Sequence, residues 1–240
     1  MIKEALQYIV GMATPTVQTI NNETYSDKQL YRISHNPKAE CIKLNTLSSL
    51  VRYIKSSKDG DLAGGANMFV HVASPTKVLL FSYLDIERKR EYLVEVNAQV
   101  PEFPFNTYIE HENFCINLQS KFIDEYDRKL LLKFAGTVES GSVAEYGDDG
   151  VSQKATIKTG IASKEAAIVP SPVTLTPYRT FTEIAQSPSQ FIFRMKQNGG
   201  VIQCALFEAD GGAWKNYVKD AIAEYLNDLL RDEPNITIIS

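Results

Sequence analysis

The chain is poor in the residues that usually carry metal or nucleophile chemistry. Its three histidines, His35, His71 and His111, show no HxH or HxxxH spacing, the spacing that sets two imidazoles on one metal. Its three cysteines, Cys41, Cys115 and Cys204, are widely separated and form no CxxC pair. An odd, scattered set reads as reduced, buried thiols in a cytosolic protein rather than a disulfide frame or zinc site. No nucleophile elbow is present, although Ser-His-Asp or Cys-His groupings assembled from distant positions stay open. No apolar run approaches the length of a membrane span. The opening segment MIKEALQYIVGMA lacks the long apolar core of an export signal and carries Glu4 in its middle. A surplus of positive charge is missing too: the net charge of −4 argues against a protein whose main task is coating nucleic acid. There is no internal repeat and no low-complexity linker.

What is present is an ordinary globular balance. The 240 residues are 44% apolar and 22% charged, enough to bury one large core or two small ones. The reading is a single α+β domain over 1–240, built on antiparallel sheet with helices on one face. The loop around Gly141 to Asp149 is the one candidate boundary, dividing 1–144 from 145–240.

The most structured stretch runs from Leu175 to Leu230. Phe191 to Met195 and Val201 to Phe207 are strand-like runs joined by Asn198-Gly199-Gly200, a hairpin pattern. Glu208-Ala209-Asp210-Gly211-Gly212 then leads into a helix whose apolar stripe includes Trp214, Tyr217, Val218, Ile222, Leu226 and Leu230. Earlier, Ile2, Leu6 and Ile9 share one face of a short helix ended by Gly11 and Pro15. That helix needs a partner surface, either the body of the protein or another subunit. Weak strands are expected at Val17–Ile20 and Leu30–Ile33, with a turn at Asn21-Asn22. Asn45 or Thr46 caps a helix carrying Leu47, Leu50, Val51 and Ile54. Met68 to Ala73, Val78 to Tyr83 and Tyr92 to Val100 form a three-strand meander. Glu110 to Phe122 fits strand or helix, with helix preferred, and Glu125 to Phe134 is helical. Gly136 to Ala144 returns to extended chain, Gly147 to Gly150 turns, and Val151 to Ile161 is a strand. Ile236 to Ile239 is a last strand added to a sheet edge.

Candidate chemistry lies beside the glycines. Asp148, Asp149, Glu208 and Asp210 would hold Mg²⁺ or Mn²⁺ for hydrolytic chemistry if their two turns met. The plainer reading makes these turn residues, with Asp210 capping the helix that follows. Gly211 and Gly212 before that helix would cradle a phosphate on backbone amides, but the acids flanking them oppose an anion. Arg179 and Arg194, with Tyr178 beside them, would clamp an anionic ligand; ion pairs with Glu183 and Glu208 are the favoured alternative. Arg88, Lys89, Arg90, Arg128, Lys129 and Lys133 would make a basic strip beside Tyr83, Tyr92 and Phe134, suited to single-stranded nucleic acid. Solvated turns and helix surface explain the same charges.

Several runs carry a family likeness: Asp148 to Gln153, then Leu175 to Phe181 with Glu183, Gln186 and Ser189. Phe191 to Arg194 and Ala205 to Trp214 (ALFEADGGAW) complete it. In these runs the chain resembles the YfdQ-like family of phage and prophage proteins. The resemblance spans 148–230, and the earlier strands loosely. Ser187 departs from it, standing where proline is usual. The resemblance implies phage origin and action in the bacterial cytoplasm; it transfers no activity and no catalytic residue. The expectation is a non-catalytic accessory protein without cofactor, acting as a homo-oligomer. Its partner would be a host defence protein, a signalling nucleotide or single-stranded DNA. The rival expectation is a metal-dependent hydrolase of nucleotides or nucleic acid.

Overall fold

The computed structural model describes residues 2–29, 38–56, 59, 67–85, 87–140, 142–148, 153–159, 163–168 and 171–240, with side chains described outside Ala13 and 137–168. Two compact units divide the chain, Met1–Lys38 and Ala39–Ser240. The segment near 144 named from sequence does not mark this boundary.

The first unit holds helix α1 (Ile2–Ala13) and a hairpin of β1 (Val17–Ile20) and β2 (Glu23–Ser26). Asn21 and Asn22 lie at φ 53° and 65°, the left-handed pair that a two-residue hairpin turn demands and that asparagine tolerates. Such a turn returns the chain at once, so the second strand starts at Glu23 and pairs Ile20 with Glu23. The strand expected at Leu30–Ile33 lies outside the described residues. Asp27 closes the hairpin mouth: its Oδ1 accepts the Thr16 amide at 2.7 Å and its own amide donates to the Thr16 carbonyl. The Lys28 ammonium donates to the Met12 and Thr14 carbonyls at the end of α1, where a helix favours positive charge.

The second unit begins with β3 (Ile42–Leu44) and α2 (Leu47–Ser56). Thr46 rather than Asn45 caps α2, since its Oγ1 accepts the Ser49 amide at 3.2 Å. Strands β4 (Met68–Ser74), β5 (Lys77–Ser82) and β6 (Tyr92–Asn97) follow as the expected meander. A bulge between Leu80 and Phe81 places Leu93 as an extra residue, so Leu93 and Val94 are both buried. Next come β7 (Ile109–Glu110), α3 (His111–Lys121) and α4 (Tyr126–Ser140). Helix preference thus decides the ambiguous segment. Extended chain from Gly136 does not appear: α4 runs through Gly136 to Ser140. A lone glycine costs a helix only about 1 kcal/mol, and Leu131 and Ala135 are already anchored in the interior.

Strands β8 (Ser142–Asp148), β9 (Gln153–Thr159) and β10 (Ser163–Ile168) make a three-stranded antiparallel sheet. Gly147 and Asp148 therefore end a strand, while Asp149 and Gly150 lie outside the described residues. Strands β11 (Val173–Leu175), β12 (Ser189–Asn198) and β13 (Val201–Glu208) then precede α5 (Ala213–Leu229) and β14 (Ile236–Ile239).

Two cores organise this unit. The four-stranded sheet β11-β12-β13-β7 is covered by α3 and α4, with Phe114, Phe122, Phe191 and Phe193 fully buried between them. The five-stranded sheet β14-β4-β5-β6-β3 carries α2 and α5 over Val70, Val72, Leu80 and Val94. The final helix thus does not cover the hairpin it follows in sequence; it crosses to the other sheet, where Val218, Ile222, Leu226 and Leu230 are its buried line. Strand β14 pairs parallel with β4 of the same chain. The architecture is α+β with mostly antiparallel sheet. Among the described residues no helix is long and apolar enough to cross a membrane.

The division of α5 into faces has a measurable consequence. Ile222 is fully buried and Tyr217 is 67% exposed. Ile222→Ala is expected to cost about 2–5 kcal/mol in urea unfolding, and Tyr217→Ala to stay within about 0.5 kcal/mol. Equal losses would contradict this placement of the helix.

Candidate functional site

The loop from Thr176 to Pro188 carries the site. It leaves the four-stranded sheet after Leu175, lends Phe181 and Ile184 to the other core, and returns at Ser189. A loop that runs inside draws on side chains to pair its polar groups, and several of this loop's groups are paired that way. Gln186 Oε1 accepts the Arg179 and Thr180 amides at 2.9 and 3.3 Å, and its Nε2 donates to the Phe181 and Ile184 carbonyls at 3.2 Å. Thr180 Oγ1 donates to the Pro75 carbonyl in the β4–β5 turn at 2.5 Å. Thr176 Oγ1 donates to Glu125 at 2.8 Å.

Arg179 is 93% removed from solvent at the centre of this loop, with 7% exposure. Its Nη2 donates to the Ser187 carbonyl at 3.0 Å, to Ser187 Oγ at 3.2 Å and to Ser189 Oγ. The guanidinium lies over the Trp214 indole, 3.9 Å from the ring centroid, a cation–π contact at the first turn of α5. Ser189 Oγ donates in turn to Asp210 Oδ2 at 2.5 Å, and Asp210 Oδ1 accepts the Gly212 amide at 3.0 Å. One hydroxyl therefore links cation to carboxylate. Burial lowers the Arg179 pKa to about 10 against the opposing pull of Asp210 and Glu208, so the group stays charged at neutral pH. Burial acts to raise the Asp210 carboxyl, but the Ser189 hydroxyl, the Gly212 amide and Arg179 together hold it below the usual value.

These contacts correct two expectations. Asp210 does not cap the first helical amides; it closes a turn on Gly212, which is itself the residue flanking the helix. Gly211 and Gly212 sit at φ 64° and 79°, the left-handed region that favours glycine, so backbone shape alone accounts for the pair. The protein's own carboxylate takes the Gly212 amide that a phosphate would have used. Arg179 likewise bonds serines rather than Glu183. The Glu183 carboxylate instead accepts the Ser48 amide and hydroxyl at 3.0 and 2.9 Å, at the N-terminus of α2 where negative charge is favoured.

The other candidates are dispersed. Arg194 stands five residues along β12 from Ser189, roughly 17 Å at strand spacing and on the opposite face. Its Nη1 donates to the Phe193 carbonyl at 3.2 Å, so the two arginines make no clamp. Tyr178 is 42% exposed, its amide donating to the Lys121 carbonyl. Glu208 ends β13 opposite Phe191, and its amide donates to Asn106 Oδ1. Asp148 ends β8 opposite Gln153, and Asp149 lies outside the described residues. Among the described residues no three His, Cys, Asp or Glu side chains gather as a metal site. The basic strip is not assembled either: Arg90 lies over Phe69 and Phe81, Arg128 and Lys129 pair with Asp124, and Phe134 packs on Phe193.

One pairing was not foreseen. Cys115 Sγ lies 3.6 Å from His111 Nε2 on α3, and the same nitrogen is 3.0 Å from the Ala135 carbonyl. A carbonyl only accepts, so Nε2 carries the proton and cannot take one from the thiol. Burial, with Cys115 beside it, pushes the Cys204 thiol up to about 12. Ser187, Gln186 and the role of Trp214 were also missed. The signal for the serines was their alternation with Phe191 and Phe193, which turns positions 187 and 189 inward.

Comparison of the chain with protein-family models, curated proteins and solved structures finds no match in any of the three.

The Glu183 contact is open to titration. Its carboxyl is half-buried, which acts to raise it, but the Ser48 amide and hydroxyl lower it overall. A depressed folded pKa stabilises above the unfolded value, about 4.3, and that contribution fades as pH falls through the folded value. Glu183→Gln should therefore lose roughly 0.5–1 kcal/mol at neutral pH, with the two unfolding curves converging below about pH 4. A gap that persists undiminished in acid would contradict this. Asp210→Ala removes the acceptor of both Gly212 and Ser189 and is expected to cost about 1–3 kcal/mol, read as a lowered Tm.

Proposed function

We propose that the protein works by binding rather than catalysis, as a homo-oligomer, and that its setting is the bacterial cytoplasm as a phage-encoded accessory protein. The phage setting rests on the resemblance in the Asp148–Gln153 and Leu175–Trp214 runs. Its partner is a host defence protein, a signalling nucleotide or single-stranded DNA.

The observation that carries the assembly is the first unit. Ile2, Leu6 and Ile9 on one face of α1 are 81%, 57% and 56% exposed, and its hairpin residues Val17, Ile20 and Tyr25 are more than half exposed. A twelve-residue helix is marginal in water without a packing partner, and a unit of this size rarely builds its own core. A second copy of the same helix supplies the matching apolar face, as closed symmetric contacts do. Exchange of the last strand is not part of the reading, because β14 already pairs with β4 of its own chain. Support for binding over turnover comes from the charged groups. Arg179, Glu183 and Asp210 all hold structural partners.

Light scattering on the full chain tests the assembly. The wild type should elute above monomer mass, and the Leu6→Asp/Ile9→Asp variant as a monomer with an unchanged unfolding transition for the second unit. A wild type that stays monomeric at micromolar concentration would sink the reading. Mn²⁺-dependent product release from nucleotides, lost in Glu208→Ala, would replace it with the hydrolase.

A further inference from the structure

Beside the Arg179 corner the surface opens into a cleft of about 550 Å³. That volume suits one small organic molecule and far exceeds what an ion or a water fills. One wall is aromatic: Trp214 and Tyr217 both line it, three residues apart on α5 and hence neighbours on the helix surface. Tyr217 takes no part in the core beneath α5 and keeps 67% of its surface exposed. The facing wall is a cross-strand pair, Thr174 on β11 opposite Gln190 on β12, both outward-pointing. Asp210 also lines the cleft. Each of its oxygens holds one hydrogen bond, to Gly212 or Ser189, and a carboxylate has about four acceptor positions.

The same corner holds donors without acceptors. Among the described residues four buried side-chain nitrogens lack a partner, and three are Arg179 Nε, Arg179 Nη1 and Trp214 Nε1. These nitrogens are buried where the guanidinium and indole stack, so they stiffen the wall and do not select the occupant. The lining selects it: the occupant must be flat enough to lie on an aromatic wall and must give N–H groups to Asp210 and Gln190. Arg179 and Asp210 offset each other's charge, so a neutral ring fits better than a bare anion, which would meet the carboxylate.

We propose that this cleft takes a purine base, free or as part of a nucleoside or nucleotide, lying against Tyr217 and Trp214 with its N–H edge on Asp210 and Gln190. The guanine edge matches best, since it presents two adjacent N–H donors to one carboxylate and carries ring acceptors on its other side. This deepens the binding reading by giving the ligand a class; it does not depend on the assembly.

Trp214 is the single tryptophan of the chain, so its emission reports on the cleft alone. The full-length protein is titrated with guanosine, with uridine and inorganic phosphate as comparisons, and each variant's melting curve is recorded. Saturable quenching by guanosine is expected, with none by phosphate and weaker response to uridine. Tyr217→Ala and Gln190→Ala, both at exposed positions, should melt as the wild type does. Loss of the stacking ring in Tyr217→Ala should weaken the midpoint by roughly tenfold or more. The proposal fails if guanosine gives no saturation, if uridine matches it, or if both variants bind as tightly as the wild type. Sizing the same samples separates the two readings: an oligomer without quenching removes this proposal alone, and a monomer that binds removes the assembly alone.

Discussion

A guanidinium taken out of water is costly unless its charge and donors are met, and the second unit turns on how Arg179 is held. It lies in the loop between β11 and β12, bonds the serines that begin β12, and lies over the indole that begins α5. Those parts belong to different cores. Leu175 and Phe191, on either side of the loop, sit under α3 and α4, while Trp214 packs with the five-stranded sheet. The cation therefore joins two apolar interiors. Its counter-charge stands one hydroxyl away. With Ser189 as intermediary, Asp210 keeps its second oxygen on the Gly212 amide and fixes the turn into α5 at the same time.

The loop's reach explains why so many acidic and polar side chains nearby are architectural. Glu183 leaves it to meet the start of α2, Thr180 to meet the β4–β5 turn, and Thr176 to meet the start of α4. Each contact spans a large sequence separation, so none is visible in local pattern. Together they tie the loop to its neighbours, while Gln186 fills its interior and pairs the Arg179 amide and the Phe181 carbonyl.

What was legible from residues alone follows the same division. Periodicity found the hairpin, the meander, α2 and α5, because each has a core face that repeats at strand or helix spacing. Turn chemistry placed Asn21-Asn22 and Asn198-Gly199-Gly200, where the positive φ of Asn21, Asn22, Gly199 and Gly200 is a local necessity. The crossing of α5 to the other sheet was not legible, since its stripe states that a partner exists and not which one. The candidate site was half legible. Arg179, Asp210, Gly211 and Gly212 stood out and do meet, but their roles depend on Ser187 and Ser189, small residues whose weight comes only from what is folded against them. Arg194 stood out equally and sits on another face, because strand alternation from Ser189 puts an odd step between them.

The charged groups of the candidate site are held in structural roles: Arg179, Asp210 and Glu183 fix the loop and the starts of α5 and α2. The recognition surfaces proposed above are of a different kind: the apolar face of α1 and the aromatic wall of Tyr217 and Trp214. Contacts of that sort gain from burial and stacking rather than from Coulomb attraction, and salt screens them little. The net charge of −4 would act against polyanions, while the neutral ring and second copy of α1 proposed above would meet no such barrier. Tracking of a phosphate backbone would need the basic strip, which the fold disperses between Arg90 on one sheet and Arg128 on the helices of the other.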